Sequence, residues 1–116
     1  MSNFERWIRD YYAERLGAEF WIGPSGFLVY SIRGDILSIE EFYVEPESRH
    51  SGAGQALIRS IEELGRIRGC TLIQGCVNTN THNAENLKRL YTLGGAEFSG
   101  YYQNGKKNME IWSKLL

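Results

Sequence analysis

The chain has 116 residues, a mass of 13.3 kDa and 13 basic against 14 acidic residues, for a net charge of −1. This length fits a single domain, 1–116, and leaves no room for two, while 42% hydrophobic and 13% aromatic residues exclude a disordered polar chain. The balanced charge argues against a nucleic-acid partner, with Lys106 and Lys107 no more than a hint of a basic run.

In chain order, Ser2 and Glu5 have the spacing of a capping box. Phe4, Trp7, Ile8, Tyr11, Tyr12 and Leu16 then recur at helical spacing as an inward face, with Gly17 as the stop. Three runs rich in aromatic and β-branched residues follow, Glu19–Ile22, 27–33 and 36–45, broken at 23–26 and at Gly34 and Asp35. They read as an antiparallel meander. After Pro46 the period becomes helical. Leu57, Ile58, Ile61, Leu64 and Ile67 form an apolar stripe, and Arg59, Glu62, Glu63, Arg66 and Arg68 are expected to face water. Residues 71–77 read as a strand buried on both faces, and Ala84–Leu93 as a helix with Leu87, Leu90 and Tyr91 inward. A final hairpin, 98–102 with Met109–Leu115, is expected to turn at Asn104 and Gly105. The pattern predicts a mixed α/β (α+β) fold.

No apolar stretch approaches the ~20 residues that cross a bilayer, and no charged-then-apolar leader opens the chain. A cytoplasmic protein without a membrane partner is expected. Cys70 and Cys76 on one strand would stand about 20 Å apart, beyond the ~7 Å that a disulfide permits, so both are expected as reduced thiols. His50 and His82 have no partner at metal-ligand spacing, so no metal site is expected.

The segment 44–57 runs from a strand through a polar turn into a helix that starts with two glycines. Free N–H groups and the helix dipole converge there, as an anion such as a pyrophosphate requires. Gly52 and Gly54 would let phosphate oxygens approach the backbone, and Arg49 adds positive charge. A P-loop is excluded because no lysine follows the glycines. The dinucleotide fingerprint is excluded because position 57 is leucine.

The spacing Arg49-x-x-Gly52-x-Gly54, preceded by Val44-x-Pro46, resembles the acyl-CoA pyrophosphate motif of the GNAT superfamily of N-acetyltransferases. Downstream, Asn83 and the run Leu90, Tyr91, Thr92, Leu93, Gly94 and Gly95 resemble the later helix of that family, and the resemblance covers roughly 26–115. It implies a mostly antiparallel central sheet flanked by helices, with acetyl-CoA as acyl donor. Phe42, Tyr43 and Val44 would hold the pantetheine arm. Arg49, His50, Ser51, Gly52, Ala53, Gly54 and Gln55 would cradle the pyrophosphate, and Tyr91 would act as general acid. The usual asparagine of the family falls on Ala84, with Asn83 and Asn86 its neighbours as CoA contacts. The strand 39–44 is similar to that of polyamine acetyltransferases, which puts Glu40 on the general-base position and Glu41 second. Alternation along a strand lets only one of these two face a given cleft. Two solvated surface carboxylates are the alternative.

The implied activity is direct acetyl transfer to a primary amine, since the family pattern leaves no role for Cys76 as an acyl carrier. Family members usually begin with a strand and two helices over the acceptor side, whereas one helix precedes the meander here. That reduction implies an open cleft and a protein lysine or N-terminus as acceptor, ahead of a polyamine or other small amine. A partner subunit in a homodimer would be another way to supply the missing wall. A non-catalytic CoA-binding module is the alternative from a different class.

Overall fold

The structure is a computed structural model that describes residues 2–102 and 108–116. The expected turn at Asn104 and Gly105, and the pair Lys106 and Lys107, lie outside the described residues. The elements are α1 (Asn3–Leu16), β1 (Glu19–Ile22), β2 (Gly26–Arg33), β3 (Ile36–Val44), α2 (Ala53–Ile67), β4 (Leu72–Asn78), α3 (Ala84–Leu93), β5 (Glu97–Tyr101) and β6 (Met109–Leu115), with a 3-10 turn at Pro46–Ser48. The element order follows the sequence pattern. Six strands form one sheet in the order β1-β2-β3-β4-β6-β5. Every neighbouring pair is antiparallel except β3 and β4, which the α2 crossover makes parallel.

The core lies on the sheet face covered by α2 and α3. Leu28 and Tyr30 of β2, Leu37, Ile39 and Val44 of β3, and Ile73 and Val77 of β4 meet Leu57, Ile58 and Ile61 of α2 and Tyr91 of α3. Strand β4 alternates between buried and half-buried residues, so it is less enclosed than its sequence suggested. Two positions on α2 also depart from the periodic reading. Ile67 is exposed at the helix end, and Glu62 is buried. Lys114 of β6 lies within 2.6 Å of Glu62 Oε2, at an angle too poor for a hydrogen bond. Without this ion pair the buried carboxylate would carry an uncompensated charge, which is costly.

The opposite face carries α1. Its N-terminus is capped as expected, with the Glu5 N–H donating to Ser2 Oγ at 3.1 Å. Its packing differs from the expected inward stripe: no residue of α1 is buried, and Phe4 and Trp7 are 67% and 61% exposed. The helix touches the sheet through Tyr12, edge-on to Phe20 at 5.0 Å, and through Arg9 above the same ring. Its period is helical, but the sheet meets a flank of the helix rather than the Phe4, Trp7 and Tyr11 stripe. Among the described residues no helix is long and apolar enough to cross a membrane.

One glycine is fixed by a close approach. A Cβ at Gly75 of β4 would meet the Tyr91 ring within 2.7 Å of Cζ, and a dense core cannot shift a ring without loss. Gly75→Ala should therefore destabilise the protein by about 1–3 kcal/mol. Thermal unfolding should show a midpoint several degrees lower, and an unchanged midpoint would refute the packing assignment.

Candidate active site

The parallel ladder between β3 and β4 runs from Ile36 and Leu72 to Ile39 and Gly75 and ends there. Strand β3 continues to Val44 and β4 to Asn78, so their far halves are unpaired with one another and leave a gap in the sheet. At the same point the register with β2 slips: Tyr30 pairs with Ile39, but Val29 pairs with Glu41. Glu40 is the extra residue of a β-bulge. A bulge bends its strand and raises local twist, which accounts for the departure of β3 from β4.

The bulge also breaks strand alternation. Glu40 Oε1 accepts a hydrogen bond from Ser31 Oγ at 2.7 Å, and Glu41 Oε2 accepts one from Tyr12 Oη at 3.4 Å. Ser31 and the Glu41 partner Val29 are two apart on β2, so both carboxylates sit on the α1 face. The expectation that only one of the pair could face a given cleft assumed regular pleating and is corrected here. An aromatic row crosses the same face, from Tyr12 through Phe20 and Phe27 to Tyr43. Burial, and then the Glu41 carboxylate, push the Tyr12 hydroxyl above its ordinary range.

Tyr91 approaches from the core face. Its ring lies on Gly75, the last β4 residue paired with β3, so its hydroxyl stands where the gap opens. Burial, with Cys76 as a smaller contributor, pushes its pKa well above the usual tyrosine value. Together with Gly75, Trp112 and Glu62 it bounds a cavity of about 20 Å³, room for roughly one water. The Cys76 thiol is pushed up by burial and then by Glu40. A thiol held in its protonated form is a poor nucleophile. Glu40 on the α1 face and Tyr91 on the core face thus flank the end of the β3–β4 ladder, with Cys76 the next residue of β4 after Gly75.

The free edge of β3 leads from there to the loop at the start of α2. The Tyr43 carbonyl faces Gly26 of β2. Backbone groups of neighbouring strand residues point in opposite directions, so those of Phe42 and Val44 face the gap. Arg49 closes the far end: its Nε donates to the Val44 carbonyl at 2.9 Å, and its guanidinium lies over the Tyr43 ring. His50 and Gly52 both have positive φ, +63° and +89°, and turn the chain into α2. Nothing lies within 4 Å of a Cβ built at Gly52. No side chain caps this helix, and its first turn holds no acidic residue. Among the described residues no acceptor bonds the N–H groups of Gly52, Ala53, Gly54 or Gln55. These donors and the helix dipole make an open anion site.

Gly54 has a different neighbourhood from Gly52. A Cβ there would press on Leu90 at 3.1 Å and Phe42 at 3.3 Å, so Gly54 sets the packing of α2 on β3 and α3. The Ser51 hydroxyl is turned back to the Ser48 carbonyl, and Gln55 is half-buried. Asn83 stands at the N-cap of α3 without a side-chain capping bond, and Asn86 is exposed. Ala84, on the position of the family asparagine, is buried in the core. Two residues of the site escaped sequence reasoning, Gly75 and Ser31. An isolated glycine within a strand is a signal of close approach, and Gly75 carried it. Ser31 carried none.

The family model of the GNAT acetyltransferases matches residues 3–94. A curated relative, the aminoglycoside N(6')-acetyltransferase type 1 of Klebsiella aerogenes, is 42% identical over 59 residues, which is 50% of this chain and 38% of that protein. The chain thus spans about two-fifths of the length of that relative. Among solved structures, an acetyltransferase of Bacillus subtilis in complex with CoA superposes with a TM-score of 0.70 at 19% identity, over 98% of this chain and 86% of that one. The ribosomal-protein-S18-alanine N-acetyltransferase of Escherichia coli superposes with a TM-score of 0.67 at 15% identity, over 91% of this chain and 75% of that one. The fold, the parted strands and the family match agree: the chain belongs to the GNAT acetyltransferase family.

Proposed function

We propose that the protein transfers an acetyl group from acetyl-CoA directly to a primary amine, with Glu40 as general base and Tyr91 as general acid. The observation that carries this reading is the placement of Glu40 and Tyr91 on the two faces of the sheet where β3 leaves β4, at one end of a free strand edge whose other end is the uncapped start of α2. The pyrophosphate of CoA would lie on the N–H groups of residues 52–55, beside Arg49. The pantetheine amides would pair with the backbone of Phe42 and Val44 as an added strand does, which brings the thioester to the gap. Asn83 and Asn86 would reach CoA only from outside, since neither side chain is turned inward.

An alkylamine with a pKa near 10.4 is neutral in about one molecule in two thousand at pH 7. Glu40 removes its proton, the nitrogen attacks the thioester carbonyl, and the C–S bond breaks as Tyr91 gives its proton to the departing sulfur. The second proton that the acylated nitrogen sheds restores neutral Tyr91 by way of solvent. Backbone N–H groups of β3 beyond Ile39 polarise the carbonyl. Ser31 holds Glu40 at 2.7 Å, whereas Glu41 meets only Tyr12 of the loosely seated α1 at 3.4 Å, which favours Glu40 as the base.

Two carboxylates beside an aromatic row favour a cationic acceptor. The open α1 face suits a protein lysine or N-terminus, but the curated relative is named for an aminoglycoside, so small cationic amines stand as equal candidates. A panel of one aminoglycoside, spermidine and a lysine-containing peptide, assayed for thiol release from acetyl-CoA, separates them. Thermal stabilisation by CoA without thiol release from any amine would favour a non-catalytic module.

Three variants and one pH–rate profile test the residue roles. Glu40→Gln should lower kcat at pH 7 about a hundredfold, with recovery as rising pH supplies neutral amine, and a full rate at pH 7 would remove Glu40 as base. Tyr91→Phe should slow turnover at least tenfold. Because burial raises the Tyr91 pKa, its proton is retained through the ordinary tyrosine range, so the native pH–rate profile should show no alkaline fall from this group below about pH 10. Loss of activity between pH 8 and pH 9 that Tyr91→Phe abolishes would contradict this. Gly52→Val, which places a side chain over the open donors and strains a positive φ, should weaken CoA binding at least tenfold by calorimetry, and native affinity would refute the pyrophosphate assignment.

A further inference from the structure

Ser31 lies near the end of β2 and is only 4% exposed, one of two buried polar or charged residues among those described, with Glu62. The residues before it, Leu28, Val29 and Tyr30, are buried and apolar or aromatic. A hydroxyl in such a place is costly to leave without its hydrogen bond. Its single proton goes to Glu40 Oε1 at 2.7 Å. The bond joins a largely buried strand, paired on both sides, to the one residue of β3 that the bulge leaves outside the ladder.

We propose that Ser31 is the positioning residue of the general base, a role that rests on Glu40 being that base. Glu40 is exposed, and the backbone around it is bulged, so neither packing nor strand pairing fixes its carboxylate. An unrestrained glutamate spreads over several rotamers and loses part of its reactive population. Ser31 anchors one oxygen and leaves the other free to take the proton of the amine. The neighbouring chain geometry reinforces this. Ser38, the cross-strand partner of Ser31, is held in turn by Gln74 Nε2 at 3.0 Å. The polar strip at the closed end of the gap therefore draws on β2, β3 and β4 together. Glu41 lacks an equivalent, because its partner Tyr12 comes from α1, which buries none of its residues. Ser31 thus decides which of two adjacent carboxylates is the base.

The test uses Ser31→Ala, Ser31→Thr, Glu40→Gln and the double variant Ser31→Ala with Glu40→Gln, each checked for folding by thermal unfolding. Activity is read with acetyl-CoA and the fastest amine of the panel above. Ser31→Ala should lower kcat about tenfold and leave KM for acetyl-CoA within about twofold. Ser31→Thr, which keeps the hydroxyl, should recover most of the loss. In the Glu40→Gln background Ser31→Ala should cost nothing further, since the group it positions is gone. A loss of the same size in both backgrounds would mean a general structural effect and would overturn the role of Ser31 alone. A full rate in Glu40→Gln would overturn the base and the positioning role with it. A readout independent of turnover is carbon-13 NMR of labelled glutamate carboxyls in the resting protein. Ser31→Ala should move the resonance that Glu40→Gln removes, and a spectrum in which that resonance stays in place would overturn the proposal.

Discussion

The parting of β3 from β4 is the constraint on which the rest of this molecule depends. Four residue pairs join the strands, and beyond Ile39 and Gly75 they run free. Unpaired backbone groups in the middle of a sheet would normally be a defect, because each donor or acceptor withdrawn from water needs a partner. Here the edge is left open to a strand-like ligand, and the bulge at Glu40 supplies the bend that opens it. The same extra residue turns two carboxylates to the face of α1. Backbone geometry and site chemistry therefore have one origin.

Around the parting, the two sheet faces do different work. The α2 and α3 face is packed: Tyr91 rests on Gly75, Gly54 admits Leu90 and Phe42, and Glu62 is buried against Lys114. That density holds the Tyr91 hydroxyl at a fixed place and keeps it protonated. The α1 face is loose. Its helix is held by Tyr12, Arg9 and the Phe20 ring, and most of its aromatic residues face outward. One face therefore holds the Tyr91 hydroxyl rigidly, and the other leaves a polar surface accessible.

The start of α2 differs from that of α1 in its capping. Helix α1 has a serine cap and a glutamate in its first turn, whereas α2 has neither. Its orphan N–H groups stay available, and the positive φ of His50 and Gly52 aims them outward. Arg49 braces this loop against the end of β3 instead of pairing with a nearby carboxylate. The strand edge and the anion site are thereby tied to one another by a single side chain.

Much of this was legible from the chain alone. Hydrophobic periodicity placed the strands and helices in order, and the glycines at 52 and 54 marked the turn into α2, because periodicity and turn chemistry are local properties. The GNAT likeness singled out Glu40 and Tyr91, which flank the end of the β3–β4 ladder. Other features were not local. Burial of Glu62 depends on Lys114, more than fifty positions later. The exposure of Phe4 and Trp7 depends on the angle at which α1 meets the sheet. The shared facing of Glu40 and Glu41 depends on a register slip against β2, and the value of Ser31 depends on that slip as well. The sequence by itself determined which segments are helix, strand and loop, and where the chain turns on glycine into α2. Only the tertiary structure decided which side chains face one another across the gap, because one extra residue in a strand reverses every facing beyond it, and no periodic pattern records where that residue falls.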